Sequence, residues 1–484
     1  MQREDLAKIV EDLQKFRCEM QTIETKTAHE GCPTKLYDTL SSFSNQDGGG
    51  VIIFGVDENK DFEVVGVYNA QDLMQRVAEQ CKQMQPQIRP LFTVCDLGGR
   101  VVVSAEIPGL DIADRPAYYK GVGRLKGSFV RVGNADEPLS DYEIYSFDAY
   151  KRQLRDDLRI VEGTDSSHLE PSLLEKYLVA VRENKPNLAK LDNCEILELM
   201  GIFKKGIPTL AGILLFSKYP QAFFPQLCIT AVVVPGTQIG QTGMDGERFL
   251  ANKRIEGTID QMLDEAMLFV GRNIRVKTII DDFGKRQDRA EYPPKAIREA
   301  IINALMHRDY SIYTEGTPVQ IIMYNDRLEI INPGSLYGKL TIDKLGKIHG
   351  DTRNRTIATS LEILKLAENR YSGIPTIRQE LENYNLPAPI FENRRGSFVV
   401  TFTNDSEFVW GNLIAKDCDL NTKLLQFCRL PRTRAEIASF LGLTQYYAIK
   451  TIVTPLVEDG KLLPTIPDKP KSRYQKYVTA PYFK

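Results

Sequence analysis

The chain is poor in the residues that build metal and redox centres. Its 484 residues hold four histidines and one tryptophan, and none of its eight cysteines form a CxxC pair. Without metal-ligand spacing zinc is not expected, and the thiols read as reduced and mostly buried. Long apolar runs are missing too. The best, Leu210 to Phe216, falls far short of the roughly 20 residues a membrane span needs, and the opening MQREDLAKIVEDLQ has no apolar signal core, so a cytoplasmic protein is expected. There is no excess of positive charge: the net charge is -2, and any contact with nucleic acid must come from local patches. GxxxxGK[ST] does not occur, which excludes a P-loop nucleotide site, and there is no internal repeat or low-complexity tract.

What remains is the composition of a globular protein, 42% hydrophobic and 26% charged. At about 100 to 200 residues per domain the length suggests about three or four domains. Residues 1–155 read as a compact α+β unit, with short β-rich runs at VIIFGV, EVVGV, LFTVC, VVVSAEI and SFVRVG. A charged helical stretch at 150–159 leads into a middle region, 160–285, with expected strands AGILLFS and LCITAVVV and a helix in EGTIDQMLDEAMLFVGRNI. A third region covers 286–405, and a small helical unit closes the chain at 415–484. The fold class is α+β and multidomain.

The third region carries the densest chemistry. In EAIINALMHRDYSI, Glu299, Asn303 and His307 are four apart and share one face of a helix whose start is marked by Pro293-Pro294. Two strands follow, TPVQIIMY and DRLEIIN, joined at Asn325-Asp326 and running into Asn332-Pro333-Gly334. A carboxylate can orient water, an amide oxygen can ligate Mg²⁺, and a glycine loop can approach phosphates or a base, so the set suggests a nucleotide site. The alternative is that the three residues merely satisfy a buried face. A kinase reading of HRD fails, because HRDLxxxxN needs an asparagine where Thr314 stands.

ExxxNAxxHRDY at Glu299–Tyr310, DRLEIxNPG at Asp326–Gly334, RNxxIAxxL at Arg353–Leu361 and SGI at Ser372–Ile374 resemble the divergent GHKL-type ATPase region described as RecG-related. The resemblance implies an α/β sandwich binding ATP and Mg²⁺. Glu299 would be the water-orienting base and Asn303 the metal ligand, while Asn332 and Gly334 would lie near the adenine; His307, Arg308, Asn354 and Gly373 complete the implied set. Asn332 stands where ordinary members have aspartate, and Tyr371 where relatives tend to have glycine.

At the N-terminus, Glu19 and ETK at 24–26 precede the helix PTKLYDTLSSFSN, a Gly48-Gly49-Gly50 corner and a strand ending at Asp57. If Ile23 to Thr27 is a strand, Glu24 and Lys26 share a face. Over residues 10–145 this pattern resembles the Schlafen AlbA-like domain, ExxxxEFK followed by a helix, a glycine pair and GVDD. The resemblance implies nucleic-acid binding and, from some relatives, a ribonuclease centre in which Glu19, Glu24 and Asp57 hold Mg²⁺ or Mn²⁺ beside Lys26. Lys120, Arg124, Lys126 and Arg131, interleaved with aromatics, suggest a nucleic-acid surface. The C-terminal unit reads as a winged helix-turn-helix, with Lys469, Lys471, Arg473 and Lys476 as phosphate contacts and Pro455 awkward inside its recognition helix.

Together the parts resemble bacterial predicted transcriptional regulators. The resemblance implies a nucleotide-responsive protein that binds DNA or RNA in regulation or defence, as a homodimer or larger homo-oligomer. The alternatives are an ATP-gated metal-dependent endonuclease and an oligomeric scaffold with degenerate sites.

Overall fold

Period-two alternation builds the first sheet. Strand Ile23–Lys26 runs parallel to Gly50–Phe54, which pairs antiparallel with Arg100–Ile107, itself antiparallel to Leu91–Leu97. Ile53 and Val102 face one side, where helix α1 (Arg3–Phe16) lays down Leu6, Val10 and Leu13. Ile52, Phe54, Val103 and Ala105 face the other, against α2 (Tyr37–Ser44) and α3 (Ala70–Lys82). After the hairpin Phe129–Val132/Ala135–Pro138 comes α4 (Asp141–Lys151), started by a reciprocal cap between Ser140 and Glu143. The charged stretch expected to be helical through 159 stops at Lys151 and resumes only as a short turn, Asp156–Leu158.

The chain described is a computed structural model. It covers residues 1–243, 245–280, 286–348, 350–367, 372–404, 424–425, 427–428, 431–441, 445–467, 472 and 475–480. Tyr371, Lys469, Lys471 and Arg473 lie outside these described residues. Two units are separable, Met1–Asp405 and Ser406–Lys484.

In the first unit α5 (Pro171–Asn184) and α6 (Asn193–Leu199) lead to α7 (Leu210–Phe216). AGILLFS, expected as a strand, is therefore mostly helix. Every residue of α7 is buried, so its apolar run has no period to separate the two; the Thr209 hydroxyl caps it, accepting from Gly212 N–H at 3.1 Å. Helices α8 (Ile259–Asn273) and α9 (Pro294–His307) follow, then α10 (Arg355–Ile363) and α11 (Gly373–Asn383). A six-stranded sheet orders Ala251–Ile255, Ile229–Val233, Val319–Met323, Arg327–Pro333, Ser397–Thr403 and Ile390–Arg394; only the pair 229–233/319–323 is parallel. Strands from both sides of the expected boundary at 285 thus share one sheet, and one apolar core runs from Val161 to Phe402. No described helix is long and apolar enough to cross a membrane.

In the second unit the helix Arg434–Leu441 starts with a reciprocal Thr433/Glu436 cap. Helical turns follow at Gln445–Ala448, Ile449–Val453 and Thr454–Glu458. The middle turn is widened immediately before Pro455, which cannot donate to the helix ladder. Gly460, at φ +67°, ends the helix, and Leu462–Pro464 pairs antiparallel with Lys476–Thr479.

Candidate functional site

Helix α9 is amphipathic for two different reasons. Ala296, Ile297, Ala300, Ile301 and Ala304 are buried in the core, while Glu299, Asn303 and His307 line a cavity of about 180 Å³ between α9, the sheet and α11. The Asn303 side-chain N–H donates to Glu299 Oε1 at 3.1 Å, which turns the amide oxygen away from the carboxylate. The N-terminus of α11 closes against this pair. A Cβ on Gly373 would stand 2.3 Å from Glu299 Oε1 and 3.0 Å from Asn303 Nδ2, so the start of α11 lies directly against this pair.

Asn332 and Gly334 form the opposite wall. Asn332 is buried, and its Oδ1 is enclosed by protein without a hydrogen-bond partner. Gly334, at φ +104°, also passes so close to Asp309 that a Cβ would meet the Asp309 Cβ at 2.4 Å. His307 is exposed, and the crowding of protein around its ring and the charge of Arg353 lower the imidazole pKa from its ordinary value. It stands neutral at pH 7.

Two residues of the implied nucleotide set are elsewhere. Arg308 is almost fully buried and donates to the carbonyls of Thr314 and Thr317 at 2.8 and 2.6 Å, fixing the loop after α9. Asn354 donates to the carbonyls of Met306 and Arg308 at 2.9 and 2.7 Å, satisfying the open C-terminus of α9. Neither lines the cavity; both fix the backbone at the end of α9. In their place stand Ser335, Tyr337, Asp351 and Arg353, which line the cavity; of these the sequence reading quoted only Arg353, as the first residue of RNxxIAxxL. Arg353 pairs with buried Asp309 at 2.6 Å.

Of the N-terminal carboxylates, Glu19 and Glu24 converge on an arginine and Asp57 turns to its own loop. Glu24 is bound by Arg131 at 2.6 Å and by Lys26. Arg131 also reaches Asp136 at 3.0 Å, with Glu19 3.6 Å away. Glu19 Oε1 accepts from both the backbone N–H and the hydroxyl of Thr25, at 2.6 and 2.8 Å, and burial raises its pKa. Asp57 caps its own turn, accepting from Asn59 N–H at 3.1 Å. Among the described residues no group of three or more His, Cys, Asp or Glu is arranged to hold a metal ion. Of the expected metal set Glu19, Glu24 and Asp57, the first two face the Arg131 guanidinium instead, and Asp57 faces Asn59 N–H and Lys60.

Arg131 itself is a second correction. At 4% exposure it is an interior counter-ion and not a surface contact for phosphate. Arg124 is held by both oxygens of Asp148, at 2.9 and 2.7 Å. Lys126 and Lys120 are exposed, the latter donating to the carbonyl of Lys82 at 3.3 Å, and Lys476 is exposed on its strand.

Residues 19–140 match the family model "Schlafen, AlbA_2", and residues 316–402 match "Putative ATP-dependent DNA helicase recG C-terminal". Residues 147–230 match a domain of unknown function. The second match includes Asn332, Gly334 and Gly373 but begins after α9, so Glu299, Asn303 and His307 precede it. Among solved structures, the DIP2311 protein from Corynebacterium diphtheriae is 18% identical over 99% of this chain and 97% of that one, with a TM-score of 0.41. The N-terminal domain of a "Putative ATP-dependent DNA Helicase RecG-related Protein" from Nitrosomonas europaea is 24% identical over 28% of this chain and 92% of that one, with a TM-score of 0.23. A search of curated proteins finds no match. The chain thus joins a segment similar to the Schlafen AlbA_2 family to one similar to the C-terminal part of RecG-type helicases.

Proposed function

We propose that this chain is a nucleotide-responsive nucleic-acid-binding protein, acting as a transcriptional regulator, with ATP and Mg²⁺ held in the α9 cavity. The observation that carries the reading is the cavity itself. It brings Glu299, Asn303 and Gly373 together with Asn332 and Gly334 around one space. The residues fit the group they would hold. The N-terminus of α11 suits phosphate, and the Asn303 oxygen suits a cation that keeps several waters and shares phosphate oxygens. When bound, Mg²⁺ offsets the charge of those oxygens. Glu299 is the one carboxylate lining this cavity close to Asn303, and in this reading it accepts hydrogen bonds from water next to the phosphates.

On the nucleic-acid side, Lys120 and Lys126 supply exposed charge beside the AlbA_2-like sheet. In the second unit, the capped helix, the turn and the hairpin carrying Lys476 support a winged helix. Strand cleavage is not part of the reading, because Glu24 is committed to Arg131 and Lys26.

The test is a titration of the full chain with a fluorescent ATP analogue and Mg²⁺, and with labelled DNA and RNA. We expect saturable nucleotide binding, weakened about tenfold or more in Asn303→Ala, as befits a lost metal ligand. Nucleic-acid binding should depend on salt, with the slope of log affinity against log salt falling by about one in Lys126→Ala. A folded protein that binds no nucleotide, or whose affinity ignores Asn303→Ala, would sink the nucleotide half.

A further inference from the structure

Helix α4 leaves the AlbA_2-like segment and immediately touches the wall of the cavity. The Tyr142 hydroxyl donates to Asp309 Oδ2 at 2.8 Å and accepts from the Ser335 N–H at 3.3 Å. Asp309 holds Arg353, which also donates to the Ser335 carbonyl and lies 5.0 Å over the Tyr337 ring. Two turns along α4, Tyr150 donates to Asp351 at 3.2 Å and meets Tyr337 edge-on at 5.4 Å. Ser335, Tyr337, Asp351 and Arg353 all line the cavity. Ser335, Tyr337, Asp351 and Arg353 therefore form part of the cavity rim and are held, directly or through Asp309, by α4.

The same helix is held from the other direction. Asp148 is six residues beyond Tyr142, about 120° around the helix at about 100° per residue, and it accepts both guanidinium bonds of Arg124. Arg124 belongs to the loop 120–127, which carries exposed Lys120 and Lys126. A phosphate seated on that loop competes with Asp148 for Arg124, since guanidinium forks bind either anion in the same bidentate way.

We propose that Tyr142 is a positioning residue of the nucleotide cavity, and that α4 links occupancy of the cavity to occupancy of the 120–127 loop. The inference rests on the nucleotide reading of the cavity and names its regulation. Tyr142 shapes the rim through Asp309 and Arg353 without itself lining the cavity. Because linkage between two binding sites is reciprocal, a nucleic acid that shifts the affinity for ATP must have its own affinity shifted by ATP by the same factor.

The experiment measures the Kd of a fluorescent ATP analogue with Mg²⁺ on the full chain, with and without a saturating single-stranded oligonucleotide. Wild type is compared with Tyr142→Phe, Tyr150→Phe and Asp148→Asn, each checked for an intact thermal transition. Loss of a hydrogen bond to a buried charge should weaken ATP binding about fivefold to tenfold in Tyr142→Phe. The oligonucleotide should change the wild-type Kd, and that ratio should approach one in Tyr142→Phe and in Asp148→Asn, a readout that simple destabilisation does not move. Wild-type binding of ATP that Tyr142→Phe leaves intact, or a Kd that the oligonucleotide never moves, overturns the inference alone. Wild type that binds no ATP overturns the functional reading and this inference with it. If Tyr142→Phe does not fold, Tyr150→Phe and Asp148→Asn decide between the same outcomes.

Discussion

Asp309 shows how much one carboxylate does in this chain. Burial pushes its pKa up, but Arg353, the Ser311 N–H and the Tyr142 hydroxyl more than offset this, and the net value lies below the ordinary 3.8. Tyr142 moves the opposite way, pushed up to about 12 by burial and by the charge of Asp309, so its hydroxyl stays protonated and donates. Because the folded-state pKa of Asp309 is depressed, the stability it contributes is fully present above the unfolded value and is lost as pH falls through the folded one. We expect the wild-type Tm to drop steeply below about pH 4, and the Asp309→Asn variant to start lower but show a flatter dependence, measured by calorimetry across that range. Equal slopes would mean that the carboxylate is not the titrating group. The sequence presented Asp309 as part of an HRD triplet and gave no sign of Tyr142 or Arg353 beside it, since 167 residues separate the two ends of the Tyr142–Asp309 hydrogen bond.

At the scale of elements, α9 was legible because local rules govern it. Pro294 opens it, its alanines and isoleucines face the core, and the four-residue spacing of Glu299, Asn303 and His307 sets one polar line. Its end was not legible, because two carbonyls there are satisfied from α10 by Asn354, a residue that reads as a ligand in sequence and acts as a cap in space. Asn354→Ala leaves those carbonyls unpaired at a cost of about 1–3 kcal/mol, which urea unfolding should report. Nucleotide contacts by Asn354 would instead appear as lost affinity with unchanged stability. Helix α7 makes the complementary point. An apolar run buried on every side has no amphipathic period, and only the hydroxyl of Thr209 marks it as a helix.

Across the whole molecule, the continuous core from Val161 to Phe402 belongs to the unit Met1–Asp405, and Ser406–Lys484 has a small core of its own around Leu424, Ile437, Val453 and Leu462. A chain ending at 405 should therefore keep the main thermal transition and bind the ATP analogue with wild-type affinity; loss of either would show that the second unit stabilises the first. The sequence by itself determined the β-rich runs of the first sheet, the polar line of α9, the glycine after Asn332-Pro333 and the lack of a P-loop motif. These follow from period, spacing and residue type, which neighbouring residues are enough to express. Only the tertiary structure decided which charges are spent. Arg131 closes on Glu24 and Asp136 inside the protein, Arg124 on Asp148, and Arg353 on Asp309. Whether a charged side chain faces solvent, a ligand or another charge depends on which distant segment packs against it, and a linear pattern of charges does not contain that information.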